Sequence, residues 1–489
     1  MSLATSVALA LFGCDGCHGD APPGSTTPRA PAGASDAGVA GAPDAGPRAA
    51  MVAEPPIGFL DAPDTSLEAL YAGLAAADHG DPNGRALLLF FGDSHTAGDS
   101  MTSRLRATLQ ARFGDGGRGL VAAGRPVARH YYQRDVKYGA SGVWKAAVGG
   151  KHGDTEPFGI GGLRVFGQAK GAQLWVETCA DCQAGKTVAE YEILYYAAPD
   201  HGILRYRVDD QPWQQLATRT TPIEPPHPAR QVVAVPDGPH KLTLEHGGGG
   251  LVELFGVVME RARPGVIVDS LGVVGRRLGS LRSWDWSVIG EQLATRDPRL
   301  VVLQYGTNEA DDPDLSLDDL AKYYDDTILR IRAASPTASI LILGPPDVGK
   351  REAGSACDHL RPRPAPIGGG SAAPIPECEW RTPTVLGQII AVEHAAAVRD
   401  HVAFFDTFAA MGGADQMQVW FSADPKVAYK DRVHFTDVGY QRWADALSTD
   451  LLAGYARWRS AHHLPPTAAH APEPPPRPTD APLPGPIPP

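Results

Sequence analysis

No run of about 18 or more apolar residues occurs in this 489-residue chain, which excludes an ordinary membrane-spanning helix. Nor is there a Lys/Arg block of the kind that reads a phosphate backbone. The formal net charge of −12 argues further against non-specific attachment to nucleic acid or anionic lipid. The Gly247–Gly250 run has no helix or Lys-Ser/Thr pair after it, so it reads as a hairpin loop and not as a phosphate cradle. Cysteine is scarce, with six in all. The spacing Cys179-x-x-Cys182 has no second copy and no thioredoxin-like βαβ context. A local disulfide is therefore favoured over a redox centre or a zinc site, and proximity pairs Cys357 with Cys378.

What is abundant is Gly (55) and Pro (45), much of it near the two ends. Residues 18–56 are Ala, Pro, Gly, Ser and Asp with almost no large apolar side chains, a composition that cannot offset its ordering entropy, and they read as a disordered tether. Residues 463–489 read as a Pro-rich disordered tail. Ahead of the tether, a short apolar stretch ends in Leu11-Phe12-Gly13-Cys14. A small residue before a Cys at such a point resembles a bacterial lipoprotein signal, which makes 1–17 a signal region and Cys14 a lipidated first residue. The absence of Lys and Arg before it and the bulky Phe12 keep a plain cleaved signal, or an ordinary N-terminus, as alternatives. An exported, lipid-anchored envelope protein is the expectation, with that anchor as its only membrane contact.

Between the ends two patterns alternate. Ala86–Phe91, Leu300–Tyr305, Ser339–Leu343 and Val402–Asp406 are short continuous apolar runs, as in strands buried on both faces. Helical spacing covers Ser66–Ala77, Ser100–Phe113, Leu317–Ala334, Thr384–Asp400 and Asp437 to about Trp458. Alternation of this kind predicts an α/β domain with a mostly parallel sheet covered on both faces. Residues 155–265 instead carry short alternating runs between turns, the pattern of an all-β sandwich. The expected layout is 57–150 and 266–460 as two parts of one α/β domain, with 155–265 inserted.

Three short motifs sit at strand ends. Gly92-Asp93-Ser94-His95 follows the first buried strand and precedes a helix, which places the Ser94 hydroxyl at the sheet's C-terminal edge, where ligands of open α/β sheets bind. Gly306-Thr307-Asn308-Glu309 ends the second, and its Asn amide is a hydrogen-bond donor to the same crevice. Asp431-Arg-Val-His434 precedes the last helix and supplies a base with its orienting carboxylate. Each alone has a plainer reading, as a helix cap or a turn. Together and in this order they resemble the SGNH, or GDSL-like, hydrolase family. The resemblance implies a flavodoxin-like three-layer α/β sandwich, with Ser94 as nucleophile, His434 as base and Asp431 as its partner. It implies an oxyanion hole from the N–H groups of Ser94 and a Gly and from the Asn308 amide. Among the glycines of Ser270–Gly279 the choice is Gly275, with Gly272 second. His95 and Glu309 depart from the usual Leu and Asp at their positions. No metal or organic cofactor is required.

An all-β insert between the Ser and Gly motifs is similar to the peptidoglycan O-acetylesterase branch, where the insert looks like a carbohydrate-binding module. That implies an O-acetylated cell-wall or extracellular glycan as substrate. An acyltransferase with the same triad, or a glycan-binding protein on a degenerate scaffold, are the other readings. Trp175, Trp213, Tyr195 and Tyr196 are candidates for sugar stacking, although core packing suits such aromatics as well. Asp311, Asp312 and Asp314 read as a solvated acidic loop rather than a calcium site.

Overall fold

The computed structural model describes residues 58–124, 132–150, 157–351, 360–361, 375–376 and 380–464. The signal region with Cys14, the tether, the Cys357/Cys378 pair and the tail from residue 465 lie outside these.

The central sheet is built from β1 (Leu60–Asp61), β2 (Arg85–Gly92), β3 (Gly265–Gly272), β4 (Leu300–Gln304), β5 (Ser339–Leu343) and β6 (Ala403–Phe405). Their order is β1-β6-β5-β4-β2-β3. Every pairing is parallel except that of the edge strand β1 with β6. Leaving β1 aside, the five parallel strands follow the flavodoxin-like order, in which the direction of winding reverses beside the first strand. The mixed α/β architecture with an inserted β-rich region is therefore the one read from the sequence.

Ala86–Phe91 are fully buried because both faces of β2 are covered. Side chains alternate in direction along a strand. Ala86, Leu88 and Phe90 enter a core with α1 (Glu68–Asp78), α3 (Ser100–Phe113) and α9 (Asp437–Ala461). Leu89 and Phe91 face a second core that includes α4 (Trp286–Arg296), α5 (Leu317–Ala334), α6 (Thr384–Arg399) and much of the insert. The insert packs on the α/β domain as a continuation of its core.

The insert contains two antiparallel sheets. Gln214–Ala217, Ile203–Val208, Lys241–Gly248, Gln173–Glu177 and Lys137–Ser141 form one. His227–Gly238, Val188–Ala197, Val252–Glu260, Leu163–Gly167 and Lys145–Val148 form the other, and Gly117–Val121 also pairs with Val252–Glu260. Three strands at 117–148 thus pair with all-β sheets, although they fall within the segment 57–150 assigned above to the α/β part. The Gly114–Gly119 run explains the passage between the two. A Cβ on Gly119 would stand 2.1 Å from the Asp269 carboxylate of β3, which instead accepts the Leu120 N–H at 2.7 Å. Cys179 and Cys182 form a disulfide in this region.

Candidate active site

Register aligns the sheet's C-terminal edge. Gly272 and Gln304 are the partners of Gly92 on either side, so β3, β2 and β4 end level. The loops carrying Gly275, Ser94 and Asn308 leave from that row, at the topological switch point where such sheets form their crevice. Gly92 has no room for a side chain, since a Cβ there would meet Thr96 Oγ1 at 2.3 Å and Gln304 Oε1 at 2.9 Å. The next residue, Asp93, caps the short helix α2 (Ser94–Ala97) by accepting the His95 N–H at 2.9 Å.

Ser94 Oγ lies 2.8 Å from His434 Nε2, and His434 Nδ1 lies 2.8 Å from Asp431 Oδ2. The other Asp431 oxygen accepts the backbone N–H groups of Val433 and His434, each at 3.0 Å. Burial alone would raise the Asp431 carboxyl, but the His434 hydrogen bond and these N–H groups outweigh it and hold the group near 2. Burial would conversely lower His434, yet the bond to Asp431 and its charge leave that imidazole above its ordinary 6.5. A carboxylate at Nδ1 selects the tautomer with its proton there, so Nε2 is free to accept from the Ser94 hydroxyl. The loop owes its shape to Arg432, which is left-handed at φ 60°. Its guanidinium lies over the Phe421 ring at 3.2 Å and the Trp380 ring at 4.9 Å, and donates to Gln418 Oε1 at 2.8 Å.

Asn308 Nδ2 donates to the Arg276 carbonyl at 3.0 Å and reaches Asp93 Oδ2 at 3.4 Å. Its amide thus ties the loop after β4 to those after β3 and β2. Glu309 reinforces this by accepting the N–H groups of Leu278 at 2.8 Å and Gly306 at 2.9 Å. The two glycine candidates differ in surroundings. Gly272 is wedged against α2, where a Cβ would stand 2.1 Å from the Ala97 nitrogen. Gly275 is exposed at φ 73° in a turn closed by Arg276 N–H to Val273 O, with open space where a Cβ would stand.

Beneath the loops lie buried polar groups to which the sequence reading assigned no role. Burial pushes Asp93 up to about 7, and the nearby Glu309 charge adds to this. Burial raises Glu309 as well, and it lifts Glu393 well above the carboxylate range, beside the Tyr324 hydroxyl that donates to it at 2.8 Å. Asp93 and Glu309 had a signal in the sequence, their places beside Ser94 and Asn308, and Glu393 had none. Elsewhere, Tyr195 is core. Trp175 and Trp213 are half-buried beneath Lys241 and beneath Arg205 and Arg207 respectively. Asp312 pairs with Arg277 and Asp311 with Lys350. No group of three or more His, Cys, Asp or Glu among the described residues is placed to hold a metal ion.

Residues 240–442 match the GDSL-like lipase/acylhydrolase family. The chain carries a GDSL-like acylhydrolase domain. The match includes Gly275, Asn308, Asp431 and His434, and the sheet register brings Ser94 to the acylhydrolase domain from outside it. Such a domain belongs to the carboxylic ester hydrolases. A peptidoglycan O-acetylesterase structure shares the fold at 24% identity, with a TM-score of 0.65, over 82% of this chain and 100% of its own. A family two carbohydrate esterase from Clostridium thermocellum matches at 12% identity and TM-score 0.26, over 64% of this chain and 99% of its own. An acetyl xylan esterase matches at 16% and 0.26, over 38% and 79%. The last two are too distant in shape to bear on the argument. No curated protein matches the chain.

Proposed function

We propose that this protein is a serine esterase that removes O-acetyl groups from a cell-wall or extracellular glycan. The observation that carries the reading is the unbroken hydrogen-bonded chain Ser94–His434–Asp431 at the switch point of the sheet. Ser94 Oγ attacks the acetyl carbonyl carbon while His434 Nε2 takes its proton. The C–O bond to the sugar then breaks, with the imidazolium returning that proton to the leaving hydroxyl. Water, deprotonated by His434, attacks the acyl carbon; the bond from that carbon to Ser94 Oγ breaks, the imidazolium returns its proton to Oγ, and acetate leaves. The N–H groups of Ser94 and Gly275 are assigned to the oxyanion, together with the Asn308 amide hydrogen that now makes only the long 3.4 Å contact with Asp93. The exposed left-handed Gly275 turn supports this choice over the wedged Gly272.

The glycan assignment rests on the shared fold of the peptidoglycan O-acetylesterase structure, insert included. Export and lipidation at Cys14 rest on the Leu11–Cys14 motif, and the Cys179–Cys182 disulfide suits an oxidising compartment. The test is acetate release by the full chain from an aryl acetate, O-acetylated peptidoglycan and acetylated xylan, beside Ser94→Ala. Release lost in the variant and greatest on peptidoglycan is expected. Acetyl transfer to an added sugar in place of acetate release would overturn the esterase reading in favour of a transferase.

A further inference from the structure

His95 stands where the family motif commonly has an apolar residue, and most of what surrounds its ring is aromatic. It is fully buried next to Ser94. Its ring lies 5.4 Å from that of His434, with Phe435 and Trp443 each at 5.5 Å. Nδ1 meets the Tyr440 hydroxyl at 3.1 Å. Nε2 has no hydrogen-bond partner among the described residues. Leaving a buried polar atom bare costs stability, so packing alone would favour Leu. Burial holds the imidazole well below its ordinary pKa, with the neighbouring His434 acting in the same direction. It is therefore neutral and does not compete with His434 for the proton.

Tyr440 explains the polar group. Its own backbone N–H donates to the Thr436 carbonyl at 3.0 Å, and its ring packs against that of Phe435, the residue after His434, with centroids 5.3 Å apart. One hydrogen bond and one ring contact thus link Ser94–His95 through Tyr440 to Phe435–His434 behind the reacting pair, while the 2.8 Å bond from Ser94 to His434 closes the circuit in front. Asp431 orients the imidazole within its own loop, whereas the Tyr440 link sets where that loop stands relative to the Ser94 backbone.

We propose that His95 is a positioning residue, which through Tyr440 ties the backbone beside the base to the backbone beside the nucleophile. The inference rests on the assignment of Ser94 and His434 as nucleophile and base. A displacement of about 1 Å at a reacting pair can cost about 10²-fold in rate.

The test uses the full chain, with aryl acetate turnover, the rate of covalent labelling by an organophosphate and thermal unfolding measured together. His95→Leu is expected to lower kcat and the labelling rate by about 10- to 10²-fold, with KM nearly unchanged and no fall in Tm. His95→Asn places a hydrogen-bonding atom near the Nδ1 position and should recover most of the loss. Tyr440→Phe should show the same loss, and His95→Leu with Tyr440→Phe should be no slower than either alone, because both break one tie. The proposal is overturned if His95→Leu keeps kcat within threefold. It is overturned equally if the two losses multiply, or if Asn fails to rescue while Tm falls in step with rate. Turnover and labelling that survive Ser94→Ala, or that wild type lacks altogether, would instead remove the nucleophile assignment and this inference with it. Failure at His95 alone leaves that assignment standing.

Discussion

Replacing Asp431 by Asn should produce two effects of opposite sign on activity and on its acid limb. Asp431 Oδ1 accepts two backbone N–H groups while Oδ2 faces His434 Nδ1. An Asn in that place must keep its carbonyl oxygen toward the two N–H donors, so its NH2 group falls opposite Nδ1. The imidazole then turns to the tautomer with the proton on Nε2, which cannot accept from Ser94. In serine hydrolases this exchange costs about 10⁴ in kcat, and a loss of that order is expected here. The second effect concerns the free enzyme. Its kcat/KM requires neutral His434, whose pKa Asp431 holds above 6.5, so the wild-type limb should rise with pH through a midpoint above 6.5. Without the carboxylate, desolvation is opposed only by the smaller effect of the Asp93 charge and favours the neutral ring, so the limb should move to lower pH even as the plateau falls. The assay is kcat/KM for an aryl acetate between about pH 4.5 and 9, for which the unperturbed imidazole value of about 6.5 is the reference. A limb that stays in place or moves up, or a plateau loss under tenfold, would refute the reasoning.

Three further outcomes follow from the same geometry. Asn308→Ala removes one assigned oxyanion donor and should lower kcat by about 10²–10³ with KM little changed, measured on the same ester. Gly272→Ala forces a Cβ to 2.1 Å from the Ala97 backbone nitrogen, and overpacking should cost about 1–3 kcal/mol in denaturant unfolding; an unchanged midpoint would contradict the packing described. Arg106 is fully buried between Asp99 and Asp135 at 3.1 and 2.6 Å. Arg106→Met leaves those carboxylates with incomplete pairing and should destabilise by about 3–5 kcal/mol in the same measurement.

Burial decided which parts of the fold could be read in advance. β2, β4 and β5 are covered on both faces and therefore appear as unbroken apolar runs. β3 is equally buried, yet its sequence Gly265–Gly272 is interrupted by Asp269 and Ser270 and went unread. Asp269 is tolerated there because Arg296 pairs with it at 2.7 Å and Leu120 N–H donates to it, partners far away in sequence. The strands Lys137–Ser141 and Lys145–Val148 went unread for the opposite reason. They are short, half-exposed end strands of their sheets, whose alternation is too brief to stand out.

The candidate site divides in the same way. Asp431 with His434, and Asp93 with Ser94, are neighbours in the chain, so local backbone geometry places each pair and a short motif discloses it. Ser94 and His434 are 340 positions apart, and no local rule brings them together. That meeting depends on the crossover order of the sheet, on β2, β3 and β4 ending in one row, and on α9 packing against α3. The same packing carries Tyr440 to His95 and Glu309 to Leu278. The sequence alone determined which chemical groups stand at the strand ends, because strand, turn and cap are local consequences of side-chain size and polarity. Only the tertiary structure decided which of those groups share a hydrogen bond, because that depends on how separate elements pack around common cores.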